Sequence, residues 1–442
     1  MSEQRRTQST VRKAQDAESA SHRLAATTNE TRSDALRTIA SAIDAARDDI
    51  LAANERDVDH AQELLEAGEY TQAFVDRLEL SETKLASITE MVRAVAEQDD
   101  PIGATESARR LDDGLHLYRQ RVPIGVIGAI FESRPDALVQ IASLCLKSGN
   151  ATILKGGSEA LHTNRVLYEL IDDATSDLAS GWVQLIEARE DVDALLDMDE
   201  TIDLIMPRGS AEFVRYIQDN TKIPVLGHSD GICHVYVDSQ ADLSMASDIA
   251  FDAKVQYPAV CNAVETVLVH ESVREEFLPE MVARYDDADV TVRGDSHTRE
   301  LVSVEPATDA DWTTEYGDLV VSIKVVDSLS SAVDHIITYG SKHTDSIVTD
   351  DAKRAIRFMR GLDSASVFHN ASTRFSDGYR FGLGAEVGIS TGKIHARGPV
   401  GLEGITTYQY YLEGDGHLVD TYAGDDAKPF LHEDFDGSWP EE

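Results

Sequence analysis

The chain has 442 residues, 42% of them hydrophobic. That suffices for a sizeable core and, by length, roughly three domains. Its 80 acidic against 40 basic residues give a net charge of −40, which argues against nucleic acid as a partner and fits a protein adapted to high salt, where screening relieves self-repulsion. No run approaches the ~20 apolar residues of a membrane span, Met1 to Lys13 lacks an apolar signal-peptide core, and three cysteines without short spacing count against a disulfide framework or a zinc site; a soluble, cytoplasmic protein is expected.

Residues 1–108 read as helices. Ala35 to Ile43 and Leu85 to Ala96 carry apolar residues at spacings of three and four, and Ser81 stands as a cap ahead of the second stretch. Leu115 to Arg121 alternates with period two after Asp112-Asp113-Gly114 and reads as a hairpin arm, with Thr406–Tyr411 a candidate partner strand. From Val122 the pattern changes. Strand-like runs at Ile124–Phe131, Ala151–Leu154, Trp182–Ile186, Ile202–Met206 and Ile223–Leu226 alternate with helical segments, which predicts a parallel, doubly wound sheet. A second α/β region follows from Gly231: strands at Ile232–Asp238, Thr266–Val269, Val320–Val325, Ser346–Val348 and Ala365–Phe368, with helices between them. Gly378–Gly404 is a glycine-rich shaped loop, and Gly414–Glu442 is an acidic, loosely held tail.

Three loops carry chemistry. Lys155-Gly156-Gly157-Ser158-Glu159 and Pro207-Arg208-Gly209-Ser210-Ala211 each follow a strand and lead into a helix, so their backbone N–H groups and helix dipole can receive a phosphate. Neither is a GxGxxG fingerprint, and each alone is equally a tight turn with a cap. The third loop holds Cys261 in Tyr257-Pro258-Ala259-Val260-Cys261-Asn262. A thiolate there could hold an acyl group as a thioester; a buried, inert thiol is the other reading. Cys145 and Cys233 read as structural. His228 and His234 are candidate neighbours of Cys261.

Five ordered motifs then carry a resemblance: Val122–Pro135, Leu154–Ala160, Met206–Ser210, Tyr257–Thr266 and Lys393–Gly404. Together they resemble the gamma-glutamyl phosphate reductase family of the aldehyde dehydrogenase superfamily, over about residues 10–415. The resemblance implies an α/β, aldehyde-dehydrogenase-like fold with two Rossmann-like α/β domains and a small β oligomerisation flap. It places the cofactor domain at 1–108 and 122–228, the catalytic domain at 229–400, the flap at 109–121 and 401–415, and the tail at 416–442. It implies NADPH-dependent reduction of L-glutamyl 5-phosphate to glutamate 5-semialdehyde, a step of proline biosynthesis, by a homo-oligomer. Cys261 would be the nucleophile. Lys155, Ser158, Glu159, Gly209 and Ser210 match cofactor-contact positions, and Glu315 weakly matches a glutamate that holds the nicotinamide ribose. Because an acyl phosphate is labile, a glutamate 5-kinase is a candidate partner.

Two departures from the wider superfamily matter. The Glu that activates hydrolytic water in oxidising members is replaced by Val225 in Val225-Leu226-Gly227-His228, and valine cannot be a general base. The Asn that donates to the oxyanion two residues before a Pro is replaced by Ser133, ahead of Pro135; Ser133, another group or the backbone would fill that role. Arg134, Arg208, His395 and Arg397, in loops beside the motifs, are candidates for the anionic substrate. Lys155 suits a 2′-phosphate, while Glu159 suits free ribose hydroxyls.

Overall fold

The computed structural model describes residues 3–188, 190–228 and 230–440. Among these, the chain opens with helices α1 (Glu3–Ala25), α2 (Asn29–Ala45), α3 (Arg47–Glu66), α4 (Gln72–Leu78) and α5 (Glu82–Ala96). Side-chain oxygens of Thr28, Thr71 and Ser81 accept the N–H groups of Thr31, Phe74 and Lys84, satisfying donors that a helix start leaves open. Leu36, Ile39, Ala40 and Ile43 share one face of α2, and Leu85, Ile88, Val92 and Val95 one face of α5; all are buried in the first core.

A hairpin of β1 (Thr105–Asp112) and β2 (Leu115–Pro123) follows, then β3 (Val126–Phe131), α6 (Pro135–Lys147), β4 (Ala151–Gly156), α7 (Leu161–Ala174), β5 (Val183–Ile186), α8 (Glu190–Leu196), β6 (Leu204–Arg208) and α9 (Ala211–Asp219). The strands β3 to β6 form a parallel sheet in the order β5-β4-β3-β6. Every residue of β3 and β4 is buried, as a parallel sheet covered by helices on both faces requires. A polar knot fixes the opening helices to α6. Arg32 donates to both oxygens of Asp100 at 2.8 Å, and the Lys147 ammonium donates to Asn29, Ser33 and the Ala96 carbonyl at 2.8, 2.9 and 3.0 Å. The expected strand at Ile223–Leu226 does not form. Only Val225 bridges to Ile205, because Pro224 has no N–H to continue a ladder.

The second region contains β7 (Cys233–Val237), α10 (Leu243–Val255), β8 (Val264–His270), α11 (Arg274–Asp286), β9 (Thr291–Gly294), α12 (Ser296–Arg299), β10 (Glu305–Pro306), β11 (Val320–Val326), α13 (Leu329–Tyr339), β12 (Thr344–Val348), α14 (Ala352–Gly361) and β13 (Ser366–His369). Its parallel strands run in the order β10-β9-β11-β8-β7-β12-β13. Period-two alternation assigns the faces: Val235 and Val237 join one core with α10 and α11, while Tyr236 joins another with α13 and α14. The sequence reading passed over β9 and β10, which are too short to show a period.

The chain then forms a small ladder of β14 (Ile389–Ser390) and β15 (Gly398–Pro399), and ends with β16 (Thr406–Glu413) and β17 (Glu433–Phe435). β16 pairs antiparallel with β2, as the sequence suggested, in a sheet ordered β16-β2-β1-β17. The last pairing corrects the expectation of a loosely held tail. β17 adds to the edge of β1, with Arg109 on Asp434 at 2.7 Å and Arg110 on Glu433. Asp112 is buried and needs partners; Tyr422, at 2.6 Å, and Lys428 supply them. The Trp439 indole donates to Glu413 at 3.0 Å and packs on Tyr411. Among the described residues no helix is long and apolar enough to cross a membrane.

Candidate active site

Cys261 lies in the turn between α10 and β8. Three neighbouring strands of the second sheet, β8, β7 and β12, begin beside it. Gly231 precedes β7, and His343 immediately precedes β12. The site therefore sits at the amino edge of this sheet. Arg208, the last residue of β6, feels the charge of Cys261, so the carboxyl edge of the first sheet meets the amino edge of the second at the thiol.

Gly231 makes this approach possible. A Cβ there would fall 2.2 Å from the Cys261 carbonyl oxygen and 2.6 Å from its Cβ, well inside contact distance. The Gly231 N–H donates to Glu315 Oε2 at 2.8 Å, the N–H of Ile232 donates to Ser341 Oγ at 2.8 Å, and the Cys233 thiol donates to the Cys261 carbonyl at 3.2 Å. Asn262 donates to the Ser376 carbonyl at 2.8 Å. Two of these bonds hold the turn itself and two hold the segment it packs on, and the Cys261 side chain is left partly buried.

Two imidazoles face the thiol. The sulfur and one ring nitrogen each of His228 and His343 lie within 4.8 Å of one another, and the two ring centroids are 4.9 Å apart. His228 Nδ1 donates to the Ile389 carbonyl at 2.8 Å, which leaves Nε2 for the sulfur. Burial pushes the Cys261 thiol up, but the charges of His343 and His228 and their hydrogen bonds outweigh it, and the net shift is well below the ordinary value. Burial lowers His228, while the Cys261 charge and hydrogen bond and the Ile389 carbonyl raise it to about 9. Thiolate and imidazolium stabilise each other. His234, the other histidine named from sequence, is elsewhere: it is fully buried and bonded to Asp345 at 2.8 Å. His343 takes the place expected of it. Cys145 and Cys233 are both buried, and burial raises both thiols.

Charged groups surround this centre. Burial lowers Arg208, and Arg134 lowers it further; burial also lowers Arg374, followed by Arg380, and both Arg208 and Arg374 sense Cys261. Arg208 donates to Gln140 Oε1 at 2.9 Å, and Arg374 to Gln256 Oε1 at 2.9 Å. Neither bond is to a carboxylate, although Glu386 and Asp136 lie in the field of Arg208, and Asp377 and Asp252 in that of Arg374. Burial raises the carboxyls of Glu315 and Glu386, which accept backbone N–H groups of Gly231 and Gly378. Arg374 was not singled out from sequence; it stands outside the motifs, in Ser372-Thr373-Arg374.

The remaining sequence candidates divide. Lys155 is the penultimate residue of β4, with its ammonium on the Gly156 carbonyl at 2.6 Å; Ser158 and Glu159 open the short turn after the strand, and Gly209 and Ser210 follow β6. Ser210 caps α9 through the Phe213 N–H. These loops share the carboxyl edge of the first sheet with Ser133 and Arg134, which follow β3. There Ser133 adopts a left-handed φ of 44° and its N–H donates to Glu159, while the Ser210 N–H donates to Glu132 Oε2 at 3.2 Å. Glu132 thus occupies one backbone donor of a loop read as a phosphate site, and Glu159 occupies the N–H of Ser133, the residue read as an oxyanion candidate. His395 and Arg397 are engaged away from the thiol: His395 bonds the Gly404 carbonyl at 2.8 Å, and Arg397 pairs with Asp363 at 3.0 Å, alongside Lys393.

A sequence profile described as the aldehyde dehydrogenase family matches residues 2–300. The chain belongs to that family, in its gamma-glutamyl phosphate reductase branch. The gamma-glutamyl phosphate reductase of Natronomonas pharaonis is 70% identical over 435 residues, covering 98% of this chain and 99% of the relative. That of Haloquadratum walsbyi is 64% identical over 98% of this chain and 97% of its own length. The crystal structure of gamma-glutamyl phosphate reductase from Thermotoga maritima superposes with a TM-score of 0.88 at 40% identity, covering 92% of this chain and 99% of that one. A more distant aldehyde dehydrogenase, the acetylating enzyme of Geobacillus thermoglucosidasius, shares the fold at 16% identity and a TM-score of 0.65. In this aldehyde dehydrogenase the position after the bridge to Ile205 leads straight to His228, so the stretch that begins at Val225 delivers an imidazole to the thiol.

Proposed function

We propose that the chain reduces L-glutamyl 5-phosphate to L-glutamate 5-semialdehyde and phosphate with NADPH, through a thioester on Cys261. The observation that carries this reading is a partly buried thiol set between two imidazoles, with the guanidiniums of Arg208 and Arg374 beside it. The Cys261 sulfur attacks the acyl carbon, the bond from carbon to the phosphate oxygen breaks, and phosphate departs with the electron pair. Arg208 and Arg374, with Arg134 next in the field, suit the leaving phosphate as charge partners. The two tetrahedral oxyanions need donors aimed at them; the Cys261 N–H and Ser133 are the candidates. His228 and His343 hold the sulfur as thiolate when the carbon–sulfur bond breaks and the aldehyde leaves. Val225, packed against the first core, offers no base for water.

The donor set fits a nicotinamide dinucleotide. Lys155, Ser158, Glu159, Gly209 and Ser210 lie at the carboxyl ends of β4 and β6, the two strands that flank β3, with a lysine for phosphate and a carboxylate for hydroxyls. When bound, the reduced nicotinamide supplies the hydride for the thioester carbon. Because Glu159 is already engaged by the Ser133 N–H, Lys155 is the residue that favours a 2′-phosphate, hence NADPH. The glutamate 5-kinase partnership and the homo-oligomer belong to the same proposal.

The test runs the reaction in reverse at high salt, with NADP, phosphate and glutamate semialdehyde, and follows NADPH. A phosphate-dependent signal that disappears in Cys261→Ser, with cofactor binding retained, is expected. Folded protein without that signal, or a fully active Cys261→Ser, refutes the reading.

A further inference from the structure

The residues that activate Cys261 also make up a set of soft-metal ligands. One thiol sulfur and two imidazole nitrogens lie within 4.8 Å of one another. Each ring has its Nδ1 occupied, by the Ile389 carbonyl at 2.8 Å for His228 and by Thr344 Oγ1 at 2.9 Å for His343. Nε2 is therefore the nitrogen each ring can offer. In His343 that atom is buried without a hydrogen-bond partner, in a side chain with no exposure. A buried ring nitrogen left unmatched is costly and calls for a ligand. The carbonyl on His228 Nδ1 is the arrangement that orients metal-binding histidines.

Tetrahedral zinc takes sulfur at about 2.3 Å and nitrogen at about 2.0–2.1 Å, which sets such donors about 3.3–3.6 Å apart. Side-chain rotations on the order of 1 Å would close the present cluster to that size. The spacing of the three cysteines argued against a zinc site, but only one cysteine is needed here; the other two ligands come from loops 33 residues before it and 82 after it in the chain.

We propose that His228, Cys261 and His343 form a reversible site for a soft divalent cation of the zinc class, and that occupancy of this site and acylation of Cys261 exclude each other. The exclusion, though not the binding, rests on Cys261 being the nucleophile. A sulfur lone pair donated to the ion cannot attack carbon, and binding releases to solvent any proton held by the thiol or the rings.

Cobalt reports the site without turnover. Titrating Co²⁺ into the reduced, metal-free full chain should give a sulfur-to-cobalt charge-transfer band and intense visible transitions that saturate at one equivalent and vanish when Zn²⁺ is added. Alkylating Cys261 in the wild-type protein, which avoids any folding defect, should abolish the band. His343→Gln should weaken Co²⁺ binding at least about tenfold. No band, or a band that survives alkylation, overturns the proposal. So does its loss in Cys233→Ala, because Cys233 Sγ lies 3.5 Å from His343 Nδ1 and would then be the ligand. For the exclusion, Zn²⁺ should inhibit the reverse assay in a way that chelation relieves and prior acylation prevents. Inhibition undiminished by acylation removes that half. A band without reductase activity supports the metal site while refuting the assigned reaction.

Discussion

Among the described glycines, Gly231 makes the closest approach to another stretch of backbone. Its α-carbon lies against the backbone of Cys261, and a methyl group there would overlap a carbonyl oxygen that cannot move without carrying the sulfur with it. Gly231→Ala should therefore displace the nucleophile. A shift of about 1 Å at a reacting group costs on the order of a hundredfold in rate, so kcat should fall about that much while cofactor affinity holds. Unchanged kcat would show that the turn tolerates the shift. His343→Gln and His228→Gln should each slow iodoacetamide alkylation of Cys261 at neutral pH by at least about tenfold, each removing one ring that lowers the thiol; equal rates would leave the thiol without its stated activation. Of these residues Cys261 stood out in sequence, inside a recognisable motif, and His228 was a candidate neighbour. Gly231 and His343 are common residue types in unremarkable surroundings, and their roles come from strand order, which puts the starts of β7, β8 and β12 side by side.

At the scale of elements, periodicity made the parallel strands and their helices legible within two or three residues. It failed where a proline or shortness removed the pattern, at Ile223–Leu226, β9 and β10. It failed differently at the C-terminus. An acidic, glycine-punctuated run reads as unstructured, yet the open edge of β1 and the buried Asp112 give it something to bind. Lys428, then Tyr422 and the Asp113 N–H, hold the Asp112 carboxyl below its ordinary value. A carboxyl depressed in the folded state contributes stability that is complete above its unfolded value of 3.8 and is lost as pH falls below it. Amide exchange across 433–435 should thus speed up in acid, and Asp112→Asn should speed it up at neutral pH while leaving the reverse assay intact. Exchange in the variant indistinguishable from wild type would mean that β17 is held by its ladder alone.

The whole molecule carries a net charge of −40 with only 11 lysines. Much of that charge is exposed, and self-repulsion in a compact body is relieved by screening. Melting temperature should therefore climb with potassium chloride well beyond physiological strength; a flat or falling curve would contradict the salt-adapted reading, which relatives from Natronomonas and Haloquadratum accompany. Fold class was the most legible property, because layered α/β patterning survives in most of the strands and helices. The junction between the two sheets was not, since nothing local says that one sheet offers its carboxyl edge and the other its amino edge.

The tail strand has a further consequence for the small antiparallel sheet. With β17 on the outside of β1, the two edges of that sheet among the described residues are unequal: β16, eight residues long and displaying Tyr408, Tyr410 and Leu412, and β17, three residues long. A three-residue edge offers few backbone groups to a further strand, whereas an eight-residue edge offers a full row. Lateral joining through this sheet is therefore favoured along β16, and the short tail strand blunts the other flank.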